Sequence, residues 1–350
     1  MQIQPFDPST ATEADWAALN AFDNQRQAEF WPDDPSISLE RTITNRRLLP
    51  AWIERHVWLA RSDDGRGVIG LGSISLWDVP HNRHLANIEV SVLPAYRRQA
   101  VGAHLLAPIV AAAEAAGRTT IFSWAEKGSR DGNAFALAVG AKPGIPSSTN
   151  QLDMRNLDLA LMRRWIERAQ ERAAGFRVGF WDRVYPDEAL EGVLRMGSAM
   201  NDAPHDEGVE PEHWTAEIVR ALEKAFLAEG TIRWTAYVQE TATGEYAGYS
   251  ELFWRADRAT IMHQGDTAVL PAYRNLGLGR WLKAAMILRV VAERPEVRYI
   301  RTDNADANQP MLSINYEMGF RPYRTWTSYM LDVDVARAYL ERVGLASRKD

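Results

Sequence analysis

Apolar positions along the chain recur at helical spacing over roughly Glu13–Ala28 and Leu39–Arg55. The pattern then switches to the denser apolar runs of strands. Val57–Ala60 and Val68–Leu76 flank an Asp63-Asp64-Gly65 turn, and Ala86–Val92 supplies a third run. An amphipathic helix over 102–116, a strand over Thr119–Trp124 and a short helix ending at Gly140 follow, and Ser147–Met154 reads as the last strand of this first sheet. The same order then returns. Helices are expected over Pro186–Ala199 and Glu212–Ala228, and strands over Trp234–Gln239 and Tyr246–Phe253 around Thr243-Gly244. Next come a strand over Ile261–Val269, a helix over 279–293, a strand over Tyr299–Thr302, a helix ending at Gly319, and a closing strand.

The repetition is also literal. Val92-Leu93-Pro94-Ala95-Tyr96-Arg97 reappears 177 residues later as Val269-Leu270-Pro271-Ala272-Tyr273-Arg274, and the same offset carries Trp77 onto Trp254 and Gly102 onto Gly279. A period this long means two domains of one fold rather than a solenoid. Hairpins early and helix crossovers late predict, for each, a mixed, mostly antiparallel sheet flanked by helices, an α/β fold bordering on α+β. The expected division is 1–156, a connecting helix within 157–175 that Gly175 ends, and 176–350.

Composition narrows the chemistry. The 350 residues are 46% hydrophobic and 25% charged, as in a globular protein. With no cysteine, disulfides, thiol nucleophiles and thiolate metal sites are excluded. A net charge of −6 argues against a nucleic-acid partner. The N-terminal stretch carries no basic-then-apolar leader and no stretch is long and apolar enough for a membrane span, so a cytoplasmic location is expected. His81 and His84 have metal-like spacing but no carboxylate pair beside them, and no metal is expected.

The sharpest motif is Arg274-Asn275-Leu276-Gly277-Leu278-Gly279, which follows a strand and opens a helix. Glycines there let several N–H groups point outward and let an anion approach, and the helix dipole adds positive character. A pyrophosphate is the natural guest. The first half echoes the motif as Arg97-Arg98-Gln99-Ala100-Val101-Gly102, with Ala100 in place of the first glycine and Pro108 inside the following helix.

These runs, with Asn308 and the later Gly319-Phe320-Arg321-Pro322, resemble the GNAT superfamily of acyl-CoA-dependent N-acyltransferases over most of 176–335, and more loosely over 1–158. The resemblance implies a tandem GNAT architecture and acetyl-CoA as cofactor. It implies that Asn275, Leu276, Gly277, Leu278 and Gly279 hold the pyrophosphate through their N–H groups, with Arg274 and Arg280 beside them. It implies that Thr267, Ala268 and Val269 pair with the pantetheine arm, and that Asn308, with Asn304 as neighbour, contacts that arm. The Val269 N–H would polarise the thioester carbonyl. Where family members often carry an acid-supplying tyrosine, this chain has Asn315, with Tyr316 one position on.

Acylation of an amine needs the neutral amine, which a base supplies. Asp266 and Glu251 are the candidates near the third strand, with His263 further back and Glu89 in the place of Asp266 in the first half. The acidic stretch Asp202–Glu212 would favour a cationic acceptor. The expected activity is acetyl transfer from acetyl-CoA to a primary amine by direct attack in a ternary complex, with a small-molecule acceptor and a monomeric or homodimeric protein. The second half is the better catalytic candidate, and an inactive CoA-sensing protein is the alternative.

Overall fold

The computed structural model describes residues 1–345. In chain order the first half holds β1 (Gln2–Pro5), α1 (Glu13–Phe30), α2 (Leu39–Arg47), β2 (Ile53–Arg61), β3 (Val68–Trp77), β4 (Leu85–Val92), α3 (Val101–Ala115), β5 (Thr120–Glu126) and α4 (Arg130–Ala138). Then follow β6 (Lys142–Asp153), α5 (Leu159–Arg172), β7 (Phe176–Asp182), α6 (Leu190–Gly197), α7 (Ala216–Ala228), β8 (Thr231–Glu240), β9 (Tyr246–Arg255), β10 (Ile261–Val269), α8 (Leu278–Glu293), β11 (Tyr299–Ala305) and α9 (Gln309–Met318). The last elements are β12 (Arg321–Asp332) and α10 (Val333–Arg342).

Local chemistry sets the boundaries. Thr12 caps α1 reciprocally with Asp15, a capping box. The helix expected to run to Arg55 stops at Arg47. Leu48 already has extended ψ, and Pro50 disfavours helical backbone at Leu49, which frees Ile53–Arg55 to begin β2.

The chain forms two compact units, and their membership corrects the sequence reading. Unit 1 is 1–144 together with the segment from Trp326 on, and unit 2 is Ile145–Thr325. The strand expected to close the first sheet, β6, pairs with β11 in unit 2, from Ser147↔Ala305 to Asp153↔Tyr299. The closing strand of the second half, β12, pairs with β5 in unit 1, from Trp326↔Glu126 to Asp332↔Thr120. Each final strand and its helix are therefore exchanged between the halves. The two strands follow near-identical punctuation (Gly140 and Gly319, Pro143 and Pro322), so sequence alone does not say which sheet each joins.

In unit 1 the strand order is β1-β2-β3-β4-β5-β12, and in unit 2 it is β7-β8-β9-β10-β11-β6. Both sheets are antiparallel except for β4–β5 and β10–β11, which α3 and α8 join as crossovers. The apolar face of α3 packs with Ala336 and Leu340 of α10, and α8 packs with Met162, Trp165 and Ala169 of α5. Among the described residues, no helix is long and apolar enough to cross a membrane.

Removing the chain from Trp326 onward strips unit 1 of Tyr329, Leu331, Val333, Ala336 and Leu340, all core residues. Several large buried side chains at about 2–5 kcal/mol each exceed the stability of an ordinary domain. Limited proteolysis is expected to digest residues 1–144 of that truncated chain while unit 2 survives. Digestion of 145–325 instead would contradict the exchange.

Candidate active site

In both units the single parallel strand pair opens into a V. β10 and β11 register only at Ile261↔Tyr299, Met262↔Ile300 and His263↔Arg301, although both strands continue beyond. β4 and β5 register only over Leu85–Asn87 and Thr120–Phe122. Past that point one edge of β10 has no strand partner and its backbone groups face a cleft. In unit 2 a β-bulge between Gln264 and Thr267 adds bend where the strands part. The β3–β4 ladder runs without a bulge from Asn87 to Val92.

The bulge is tied from behind. Gln264 Nε2 donates to Ser250 Oγ at 2.7 Å and to Thr267 Oγ1 at 3.3 Å, and Lys283 Nζ of α8 donates to Gln264 Oε1 at 2.8 Å. Lys283 is fully buried, and burial lowers its ammonium to about 7. Sequence reasoning missed this lysine. Its signal was a charge inside the stripe Lys283, Met286, Ile287 and Val290.

The cleft leads into a cavity of about 510 Å³ lined by Thr267, Ala268, Val269, Arg274, Asn275, Gly277, Leu278, Gly279, Arg280 and Asn308, with Met200 and Asp202 from the segment after α6. The loop is shaped for an anion. Asn275 (φ 65°) and Gly277 (φ 84°) are left-handed, which turns successive N–H groups to one side at the start of α8. A Cβ built on Gly277 meets no protein atom within 4 Å, so the space above it is open for a ligand. Leu270 N–H is spent on Ala247 O at 2.8 Å, and strand alternation sends the Val269 N–H toward the opposite, unpaired edge.

Not every expected residue meets there. Arg274 lines the cavity but donates to Asp202 at 2.5 Å and, through Nε, to Val269 O at 3.1 Å. Arg280 is held by Glu317 at 2.8 Å. Leu276 packs against the core below the loop. Asn308 caps α9, its Oδ1 accepting from Met311 N–H at 3.4 Å. Asn304 instead accepts from the buried Asn315 at 2.8 Å, behind the cavity wall. Tyr316 is exposed, and α9 presents Met311, Ser313 and Ile314 to the cavity rather than Tyr316.

Asp266 and Glu251 lie on the sheet face that α6 and α7 cover, with Tyr249 and Tyr185. Glu251 is buried and accepts from Tyr185 Oη at 2.6 Å, with Arg233 Nε 3.7 Å away. Burial raises its carboxyl to about 7; Arg233 opposes the rise and Asp266 adds to it. Arg233 is itself paired with the buried Glu223. Asp266 accepts from Tyr249 Oη at 3.1 Å. Its crowded surroundings raise its carboxyl, Tyr249 opposes, and Glu212 of the acidic segment adds to the rise. The two carboxyls share their repulsion. Asp266 is the member of the pair that reaches solvent.

Unit 1 repeats the loop with Arg98 (φ 61°) and Ala100 (φ 59°) left-handed, although neither is glycine. Its cavity, also about 510 Å³, is lined by Ser91, Ala100, Gly102, Trp124 and Trp326, among others.

Residues 19–140 match the sequence model of the Acetyltransferase (GNAT) family. With the two splayed sheets and their loops, this gives the chain the architecture of a tandem GNAT protein. Among solved structures, the chain is similar to a tandem GNAT protein from the clavulanic acid biosynthesis pathway, at 23% identity over 95% of this chain and 98% of that one, with a TM-score of 0.74. It is also similar to a GCN5-related N-acetyltransferase from Sphaerobacter thermophilus, at 13% identity over 95% of each chain, with a TM-score of 0.64. No curated protein matches. The family match falls on the half whose loop carries Ala100 rather than glycine.

Proposed function

We propose that unit 2 transfers an acetyl group from acetyl-CoA to a primary amine of a small, cationic acceptor by direct attack in a ternary complex. The observation that carries this reading is the bulge at Gln264–Thr267, which opens the strand edge onto the cavity beside the anion-shaped loop. Unit 1 has the loop but lacks the bulge.

The residues present fit acetyl-CoA, since the loop N–H groups and the open space above Gly277 suit a diphosphate and the strand edge suits an amide-bearing arm. When bound, acetyl-CoA supplies the activated acyl group. The Val269 N–H, aimed into the cleft, stabilises the charge that develops on the thioester oxygen. Asp266 and Glu251, with Glu212 nearby, make the α6–α7 side anionic and draw an ammonium toward the same strand. Asp266 takes the proton that the ammonium must lose, and Tyr249 holds its carboxylate in place.

Asp266→Asn is expected to lower kcat by about 10²–10⁴-fold while the affinity for acetyl-CoA stays unchanged. CoA-thiol release with a panel of primary amines and calorimetric binding of acetyl-CoA check the two halves of that statement. A second reading is a CoA-binding sensor without turnover, and the placement of Tyr316 off the cavity with Asn315 buried favours it. Saturable acetyl-CoA binding with no thiol release from any amine would select that reading.

A further inference from the structure

The α1–α2 side of unit 1 carries a charge arrangement that differs from its counterpart in unit 2. Arg55 pairs in register with Ser75, Ser75 with Asn87, and Ser73 with Glu89. Arg55 alternates with Val57 and Leu59, which pack under α1, so it stands on the face that α1 and α2 cover. Glu89 shares that face, because it is two residues from Ser91, the register partner of the α1-packed Leu71. Two strand spacings and two residues separate Arg55 from Glu89, about 10 Å across and about 7 Å along the sheet.

The ion pairing is lopsided. Arg46 of α2 is taken by Asp23 of α1 at 3.1 Å. Arg55 is half-buried, and its Nε donates to Ser75 Oγ at 3.0 Å, but no carboxylate lies within ion-pair range of it among the described residues. A half-buried guanidinium without a counter-anion is costly and calls for one. Glu89 is exposed and accepts only from Ser91 Oγ, at 2.7 Å. Ser91 also lines the unit 1 cavity. The electrostatic influence of Glu89 reaches both Asp23 and Arg55, which places the four charges in one field. In unit 2 the corresponding guanidinium, Arg233, is paired with Glu223 and lies 3.7 Å from Glu251.

We propose that unit 1 holds a binding site for a small zwitterion of the α-amino-acid class, with Arg55 taking the carboxylate and Glu89 the ammonium. Arg55 presents a planar fork that matches a carboxylate with two parallel hydrogen bonds. The site is independent of the transfer assigned to unit 2, because binding there requires neither acetyl-CoA nor Asp266.

The test is calorimetric titration of the full chain, without acetyl-CoA, using the twenty proteinogenic α-amino acids and their decarboxylated amines. At least one amino acid is expected to bind, with its amine weaker by about tenfold or more, the worth of a charge-assisted hydrogen bond. Arg55→Met is expected to remove that preference and Arg55→Lys to keep part of it, while Asp266→Asn leaves it intact. Equal binding of amino acid and amine in the unaltered protein, which needs no variant to fold, overturns the proposal. So does unchanged binding in a folded Arg55→Met chain, loss through Asp266→Asn, or no binding by any member of the panel.

Discussion

Gly277→Glu is expected to weaken acetyl-CoA binding by unit 2 more than about 100-fold, while the unit keeps its fold. The backbone there is left-handed, and a side chain costs about 1–2 kcal/mol in that conformation. The space around it is open, so no core contact is displaced. The new carboxylate would stand where the loop N–H groups converge. It would occupy donors meant for a diphosphate and repel what it failed to displace. Losing two charge-assisted hydrogen bonds at about 1.5–3 kcal/mol each already accounts for two decades or more. The readout is the rise in melting temperature with acetyl-CoA, which should vanish from the unit 2 transition. Ala100→Glu is the matched change in unit 1. If Ala100→Glu abolishes the stabilisation and Gly277→Glu does not, the transferase assignment moves to the first unit.

Much of this was legible in the chain. The repeated VLPAYR and the Arg-x-x-Gly-x-Gly turn gave the duplication, the tandem architecture and the cavity loop at Asn275–Gly279, because tight turns and close backbone approach demand particular residues at particular places. What escaped had weak local signatures or none. The exchange of β6 and β12 depends on which sheet offers the better edge, and two repeats of one sequence pattern offer nearly the same edge twice. The bulge at Gln264–Thr267 is marked only by Gly265, a single glycine that a strand also tolerates without a bulge, and Asp266 beside it lies on the Tyr249 side. Ala100 adopts the left-handed loop conformation despite its Cβ, so the residue that replaces the first glycine in unit 1 did not change its backbone. A strained conformation held by a non-glycine residue indicates a loop whose shape is over-determined by its surroundings.

Two buried groups are expected to tilt stability against pH in opposite directions on either side of pH 7. Glu251 is raised from 4.5 to about 7, so the folded protein binds its proton more tightly than the unfolded chain does. That stabilisation is complete below about pH 4.5 and is lost as pH rises through 7. Lys283 is lowered from 10.5 to about 7, so between those values the unfolded chain holds a proton that the folded protein has released. Its penalty is complete below about 7 and is relieved as pH climbs toward 10.5. At about 1.4 kcal/mol per pH unit the falling limb is on the order of 3 kcal/mol and the rising limb on the order of 5 kcal/mol. Glu251→Gln should flatten the first and Lys283→Met the second, leaving the other limb in place. At pH 7 the methionine also removes a buried ammonium while leaving Gln264 Oε1 without its donor, a loss of about 1–3 kcal/mol. The variant should therefore be at least as stable as the parent there. Urea unfolding followed by tryptophan fluorescence from pH 4.5 to 10 measures both limbs as differences between variant and parent, the first including the response of the coupled Asp266. If the Lys283→Met difference is constant from pH 7 to 10, Lys283 keeps its proton in the folded protein, and the α8 side of the bulge is charged rather than neutral when unit 2 works.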